Sequence, residues 1–269
     1  MRSEKGLTLI EVMVAISIAS LLTLGIERLL DTALTSWRIA IEEVSISKLS
    51  EDMMRQMTEG DDQFSGLRDA AQLIDAGKVA VTFVPMWTDV FDLLPRDGKF
   101  YLTKRLRPGA PPPMSEVKFK GARDYVVYPV LVKAEEGTNK QYGEFGFPIK
   151  PGATVRFSYQ PDVKVHPELI MKYEWDSKLG KIRRFYNRIV HDFNEREEAV
   201  KTTAVEFSYL DGGNQAVDIE GRTLSKANAL VRISSVKIDL EMQGKQMTKR
   251  AVTLVNLRSL GKGGQGVIL

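Results

Sequence analysis

Cysteine is absent from the 269-residue sequence, and histidine occurs only twice, as His166 and His191. The absence of cysteine excludes disulfides, thiolate nucleophiles and cysteine-ligated metal sites. His166 precedes Pro167 and His191 precedes Asp192, so each is expected to be a surface or turn residue rather than part of a catalytic or metal site. The glycine-rich run at 261–266 lacks the lysine–hydroxyl ending of a phosphate-binding loop. We therefore expect a protein without enzymatic activity, cofactor or small-molecule substrate.

The chain also has little excess of positive over negative charge: the net charge is +3, and lysine and arginine are spread along the chain. No nucleic-acid partner is expected from this distribution. Asp61 and Asp62 could hold a cation together with loop carbonyls, but the spacing of a calcium-binding EF-hand is missing. Hydrophobic residues make up 43% of the chain, which is enough for a folded domain with its own core.

One long apolar run stands near the N-terminus, from Leu7 to Ile26, and Glu11 is its only charged residue. Twenty helical residues span about 30 Å, the thickness of the hydrocarbon core of a bilayer. Arg2 and Lys5 precede the run, so the positive-inside rule places the N-terminus in the cytoplasm and the rest of the chain across the membrane. The run predicts a protein that crosses a membrane once.

Three interpretations of this run compete. A cleaved secretory signal suits the basic start, but Glu11 lies within the run, and so do the small residues from Ala15 to Ala19 that would form the cleavage site. A plain signal anchor leaves Glu11 without a purpose, although a carboxylate near the membrane is costly and suggests a partner. The third interpretation is a processed helix that is kept and that assembles with other chains.

The residues K-G-L-T-L-I-E-V at 5–12 resemble the processing site of type IV prepilins and of the pseudopilins of type II secretion. The resemblance implies that a prepilin peptidase cuts between Gly6 and Leu7 and methylates the new N-terminal amine of Leu7. It also implies that Glu11 pairs with the N-terminal amine of a neighbouring subunit. A buried carboxylate that meets an ammonium has its charge compensated. Leu7 departs from the family, which usually has phenylalanine there.

An amphipathic helix is predicted to continue from the apolar run to about Glu59, where Gly60 and two aspartates supply a helix-ending glycine and turn residues. Two apolar stripes run along it on nearly opposite faces. The upper stripe is expected to pack on neighbouring helices and the later stripe on the protein's own sheet; the alternative is that both pack within one domain. The upper stripe comprises Leu30, Leu34, Trp37, Ile41 and Val44, and the later stripe comprises Ile39, Ile46, Leu49, Met53 and Met57.

The rest of the chain shows period-two alternation of apolar residues and predicts an α+β fold, in which the long N-terminal helix packs on an antiparallel β-sheet domain of two sheets. Residues 124–133 predict an edge or bulged strand containing Pro129, and residues 134–152 a surface excursion. The predicted segments are a leader at 1–6, a stalk helix at 7–59 with its membrane or filament part at 7–30, a globular domain at 60–260 and a mobile tail at 261–269. The clearest strand candidates are Thr154–Tyr159, Leu169–Trp175, Lys181–Arg188, Thr203–Leu210, Arg232–Met242 and Lys249–Leu257, with turns at 177–180, 211–214 and 243–245.

A second, more diffuse resemblance lies in EWD at 174–176, KIRRFYNR at 181–188, VEFSYLDGG at 205–213 and VRISSVKIDLEMQ at 231–243. These segments resemble the J-type minor pseudopilin of type II secretion and the W-type minor pilins. The resemblance implies a non-catalytic subunit that helps to initiate and cap a pseudopilus or pilus-like filament, with its globular domain in the periplasm. The implied partners are other minor pseudopilins in a tip complex, the major pseudopilin, the prepilin peptidase and, before assembly, the inner membrane. The alternative is a membrane-anchored β-domain that binds a secreted substrate or an envelope ligand.

Overall fold

The computed structural model describes residues 8–61, 64–94, 97–108, 113–187, 189–193, 200–220 and 226–257. A long N-terminal helix is followed by several antiparallel sheets, which confirms the predicted α+β fold class. The predicted leader at 1–6, the predicted tail at 261–269 and Asp62 lie outside the described residues.

Helix α1 runs from Leu9 to Thr58, and its 50 residues correspond to a length of about 75 Å. Gly60 follows the last turn with a φ of +89°, a left-handed conformation that glycine adopts without strain. A Cβ atom on Gly60 would also lie 2.1 Å from the carbonyl oxygen of Phe64. The glycine predicted to end the helix therefore does so.

Short strands make up most of the remaining described residues. Two 3-10 turns, at Leu67–Asp69 and Pro167–Leu169, and one short helix, α2 at Lys226–Arg232, interrupt them. The strands are β1 Ala70–Ala76, β2 Ala80–Pro85, β3 Trp87–Asp92, β4 Lys99–Tyr101, β5 Met114–Lys118, β6 Val126–Val127, β7 Val130–Ala134, β8 Gln141–Phe145, β9 Thr154–Tyr159, β10 Met171–Asp176, β11 Lys181–Tyr186, β12 Ile189–Asp192, β13 Lys201–Asp211, β14 Ile233–Gln243 and β15 Thr248–Asn256.

Two sheets share one apolar core with the C-terminal part of α1, and we call this unit the head. One sheet has the strand order β1-β2-β10-β11-β12 and the other the order β13-β14-β15, with antiparallel pairing throughout. The core includes Phe83 and Tyr173 from the first sheet, Phe207 and Ile238 from the second, and Met57 from the helix. The C-terminal part of α1 thus packs against both sheets of the head.

Residues 87–159 form an insert between β2 and β10, which are neighbours in the first sheet of the head. The insert has its own apolar core and two further sheets, with the orders β3-β9-β5-β6 and β4-β8-β7. The expectation of two sheets is therefore corrected to four hydrogen-bonded sheets among the described residues.

The predicted surface excursion at 134–152 is wrong in its middle part, because β8 is the central strand of a three-stranded sheet. Gly143 in β8 lies under the ring of Phe100, and a Cβ atom on Gly143 would be 2.3 Å from the Cζ atom of that ring. The glycine that suggested a loop is thus required by close packing.

The six C-terminal strand predictions are confirmed, each to within two residues at either end. Asp176 pairs with Lys181 and Gln243 with Thr248, so the predicted turns at 177–180 and 243–245 close hairpins. After the predicted turn at 211–214, the chain pairs with β13 through one isolated bridge, between Leu210 and Ala216, and not through a second strand. Residues 124–133 are split at Pro129 into β6 and β7, which lie at the edges of two different sheets.

Candidate functional site

The first turn of α1 is closed by Thr8 and Glu11. The backbone N–H of Thr8 donates to Glu11 Oε2 at 2.8 Å, and Thr8 Oγ1 donates to the same oxygen at 2.9 Å. In return, the backbone N–H of Glu11 donates to Thr8 Oγ1 at 3.3 Å. This capping box satisfies donors that the start of a helix otherwise leaves free. Within the described residues these hydrogen bonds reach only Oε2, so the second carboxylate oxygen remains available to a further donor.

The hydroxyl groups within the apolar part of α1 are satisfied inside the helix. Ser17, Ser20 and Thr23 donate to the carbonyl oxygens four residues earlier, at distances of 2.9, 2.8 and 2.9 Å. In a membrane such internal bonds remove the cost of an unpaired polar group. Glu11 is then the one group of the run whose charge needs compensation from outside.

Helix α1 is, within the described part of the chain, the one helix long and apolar enough to cross a membrane. None of the side chains in its apolar window is buried by the rest of the protein. The N-terminal half of α1 therefore presents apolar surface on every side, which suits lipid or a bundle of neighbouring helices.

The two predicted stripes of α1 have different surroundings. Ile46, Met53 and Met57 of the later stripe are at most 1% exposed and lie in the core of the head. Trp37 and Val44 of the upper stripe are 65% and 67% exposed. The prediction that the later stripe packs on the protein's own sheet is confirmed, and the alternative that both stripes pack within one domain is wrong.

The later stripe begins at Ile46 rather than at Ile39, about two helical turns further along than predicted. Ile39 is 39% exposed, whereas Leu49 packs partly against the core of the head. The head reaches the helix only from Glu42 onward, where the Glu42 carboxylate accepts a hydrogen bond from the backbone N–H of Gln246 at 2.9 Å.

A profile of the prokaryotic N-terminal methylation motif matches residues 1–26 of the chain. The chain carries a prepilin-type N-terminal signal. No curated protein and no solved structure shows significant similarity to the chain. The prepilin-type signal and the exposed apolar helix thus occupy the same segment.

Gly6 and Leu7 lie outside the described residues, so cleavage between them and methylation of Leu7 remain predictions. The pairing of Glu11 with the amine of a neighbouring subunit also remains a prediction, although the carboxylate is exposed on the surface of the helix. Thr8 was not predicted to be a site residue. Its signal was readable, because threonine three residues before glutamate at the start of an apolar run is the spacing of a capping box.

Asp61, considered above as a cation ligand, is bound to Arg184 instead. Arg184 Nη1 donates to Asp61 Oδ2 at 2.9 Å, and the backbone N–H of Phe64 donates to Asp61 Oδ1 at 2.9 Å. Arg184 is only 5% exposed, and its guanidinium lies 4.0 Å from the ring centre of Phe64. Among the described residues, no group of three or more metal-ligating side chains is placed to hold an ion.

The two histidines lie in structural positions. His166 precedes the 3-10 turn Pro167–Leu169, and its Nδ1 atom is 3.0 Å from Glu168 Oε1. His191 was expected to be a surface or turn residue, but it lies half-buried in β12 and packs edge-on against the ring of Phe64.

Proposed function

We propose that the protein is a minor pseudopilin or minor pilin, a non-catalytic subunit that helps to initiate and cap a type II secretion pseudopilus or a related pilus-like filament. One observation carries the proposal: a prepilin-type signal leads directly into a helix whose apolar surface the head leaves uncovered from Leu9 to Ile41. Such a surface is stable in lipid or in a bundle of like helices, but not in water.

The basic residues Arg2 and Lys5 support a topology in which the N-terminus of the unassembled protein lies in the cytoplasm and the head in the periplasm. The prepilin peptidase removes residues 1–6 and methylates Leu7. The apolar half of α1 then moves from the inner membrane into the core of the filament, where other minor pseudopilins and the major pseudopilin surround it. The head, which retains its own core, stays on the outside.

Glu11 supports this assembly step on physical grounds. A carboxylate costs about 2.5–3.5 kcal/mol at the centre of a membrane helix on insertion scales, and less at Glu11, which lies in the first turn of α1. The capping box offsets part of that cost in the single chain, since it supplies two donors to Oε2. The ammonium of the processed N-terminus of a neighbouring subunit supplies the opposite charge and reaches the oxygen left open.

Two variants separate the capping role of Glu11 from its charge. Glutamine is accepted at this position of a capping box, so Glu11→Gln keeps the cap and removes the charge. Thr8→Ala removes the hydroxyl of the cap and keeps the charge. We expect both variants to lose residues 1–6 normally and only Glu11→Gln to lose most of its co-purification with neighbouring subunits. Equal co-purification of Glu11→Gln and wild type would contradict the pairing role.

The insert favours a second candidate function, the binding of a secreted substrate or an envelope ligand. Tyr128 donates its backbone N–H to Ser115 of β5 at 3.0 Å, so the alternation of an antiparallel strand turns the N–H of Val127 toward the open edge of β6. Val127 is 60% exposed. An uncharged open edge of this kind is able to pair with an extended segment of another chain.

A lysine at the edge tests this second function, because edge lysines block strand addition. If the insert binds a ligand, Val127→Lys abolishes secretion or ligand capture while assembly into the filament is kept. The control is Val190→Lys, which changes a 49% exposed valine on the edge strand β12 of the head. Normal secretion with Val127→Lys would contradict ligand binding at the open edge of β6.

A further inference from the structure

The turn between β14 and β15 lies against α1 although about two hundred residues separate the two segments. Gly244 and Met247 close this turn, with the backbone N–H of Gly244 donating to the carbonyl of Met247 at 2.9 Å. The turn meets the helix at Glu42, the point at which α1 emerges from the head. We call the turn from Gly244 to Met247 the collar.

Polar contacts hold the collar and the strand after it to the helix on both sides of a buried residue. Glu42 Oε1 accepts the backbone N–H of Gln246 at 2.9 Å. One helical turn further along, Lys249 Nζ donates to Ser47 Oγ at 2.6 Å. Ile46 lies between them and is fully buried. A backbone donor that binds a carboxylate makes a charge-assisted hydrogen bond, which is stronger than a neutral one.

Gly244 lets the collar approach this closely. A Cβ atom on Gly244 would lie 1.9 Å from Glu42 Oε1 and 2.9 Å from Ile46 Cδ1. The φ angle of Gly244 is not in the left-handed region, so the reason for glycine here is space rather than backbone conformation. A Cβ at this position displaces the Glu42 carboxylate, and with it the hydrogen bond from Gln246 that holds the collar to the helix.

We propose that the collar fixes the head on α1 at Glu42 and so sets the length of helix that stays free for neighbouring subunits; this rests on the proposed function. The free part runs from Leu9 to Ile41, and its 33 residues correspond to about 50 Å. A bilayer core takes up about 30 Å of that length. The collar therefore holds the head about 20 Å from the hydrocarbon surface in the unassembled protein.

Gly244→Ala tests the collar in the full-length protein. Because the chain has no native cysteine, spin labels can be attached uniquely to Thr35→Cys on the free helix and Ser177→Cys on the head. In detergent, the protein that keeps Gly244 should give one narrow distribution of the distance between the two labels. The protein that also carries Gly244→Ala should give a broadened or shifted distribution. The control is Gly212→Ala, where a Cβ atom has no neighbour within 4 Å, and it should leave the distribution unchanged.

The pair of Glu42 and Gly244 gives a second measurement, because removing the carboxylate relieves the contact that the new Cβ would make. Gly244→Ala should lower co-purification with neighbouring subunits by about tenfold, a loss of about 1.4 kcal/mol. Adding Glu42→Ala to Gly244→Ala should then lower co-purification no further. If the two substitutions acted independently, the losses of the two single variants would add in the double variant. Glu43→Gln, which removes the neighbouring charge, should behave like wild type.

An unchanged distance distribution in Gly244→Ala would overturn the collar, whatever the result of co-purification. Additive effects of Glu42→Ala and Gly244→Ala would overturn it as well, since residues in contact are coupled. A failure of the proposed function can be told apart from a failure of the collar. A chain that is never shortened by six residues would contradict the proposed function, but it would leave the label distances in detergent unchanged.

Discussion

Replacing one side chain from each stripe of α1 should affect different properties of the protein. Met57 is fully buried in the core of the head, whereas Trp37 is 65% exposed. Met57→Ala removes a packed side chain and leaves a cavity. Trp37→Ala removes a larger side chain from a surface that the head does not cover. The buried variant should therefore lower stability, and the exposed variant should lower assembly.

The magnitudes follow from burial. Truncation of a buried methionine to alanine costs about 2–5 kcal/mol. For a domain of about 200 residues, each kcal/mol shifts the melting temperature by about 2–4 °C, so Met57→Ala should lower it by about 4–20 °C. A substitution at an exposed position usually changes stability by no more than about 0.5 kcal/mol, so Trp37→Ala should shift the melting temperature by about 2 °C or less.

The assay is thermal unfolding of the full-length protein in detergent, followed by circular dichroism, together with co-purification of neighbouring subunits from cells. Met57→Ala should lower the melting temperature, and Trp37→Ala should lower co-purification without a change in melting. If Trp37→Ala melted as early as Met57→Ala, the upper stripe would be covered by its own head and the division of the helix surface would be wrong.

Three further substitutions test the head itself by the same unfolding measurement. Arg184→Met removes a buried guanidinium and its hydrogen bond to Asp61, whose carboxylate is itself exposed, and should cost about 1.5–3 kcal/mol. Hydrogen bonding from Arg250 lowers the pKa of Asp239, so its contribution is present above about pH 4 and is lost as pH falls through the lowered folded-state pKa. Asp239→Asn should therefore lose less stability than wild type on acidification below pH ~4. Gly60→Ala forces a left-handed φ and a backbone clash, and should cost about 1–3 kcal/mol or more.

Matched variants control these predictions. Arg156→Met breaks an ion pair with Glu116 whose arginine is 46% exposed, and it should cost less than about 1 kcal/mol. Gly25→Ala places a Cβ where no atom lies within 4 Å, so it should not destabilise the head. Equal losses in Arg184→Met and Arg156→Met would contradict the burial argument. An unchanged acid response in Asp239→Asn would contradict the pKa argument.

The features that were predictable from sequence rest on local periodicity. The helix, its terminal glycine and the later stripe each follow from residues within a few turns of one another, so 3.6-residue spacing alone identifies them. The alternation is clearest in β13 and β14, because one face of each is buried in the core of the head. The prepilin-type signal is also local, since Gly6, Leu7 and Glu11 lie within six residues.

The insert and the collar were not predictable because their causes are distant in the sequence. Gly143 signals a loop when it is considered alone, and only the ring of Phe100 above it explains a glycine in a central strand. Gly244 suggests an ordinary hairpin turn, and its contact with Glu42 depends on how the head closes on the helix. Contacts between segments this far apart leave no periodic trace in a single sequence.

The N-terminus of the protein isolated from cells tests the central claim most directly. Mass spectrometry of the intact wild-type chain should show a protein that begins at Leu7 and carries one methyl group on its amine. Gly6→Ala should block this shortening and retain the first six residues. A wild-type chain that begins at Met1, or one cut beyond Ala19, would contradict the account, because the apolar helix would then be a simple anchor or a discarded signal.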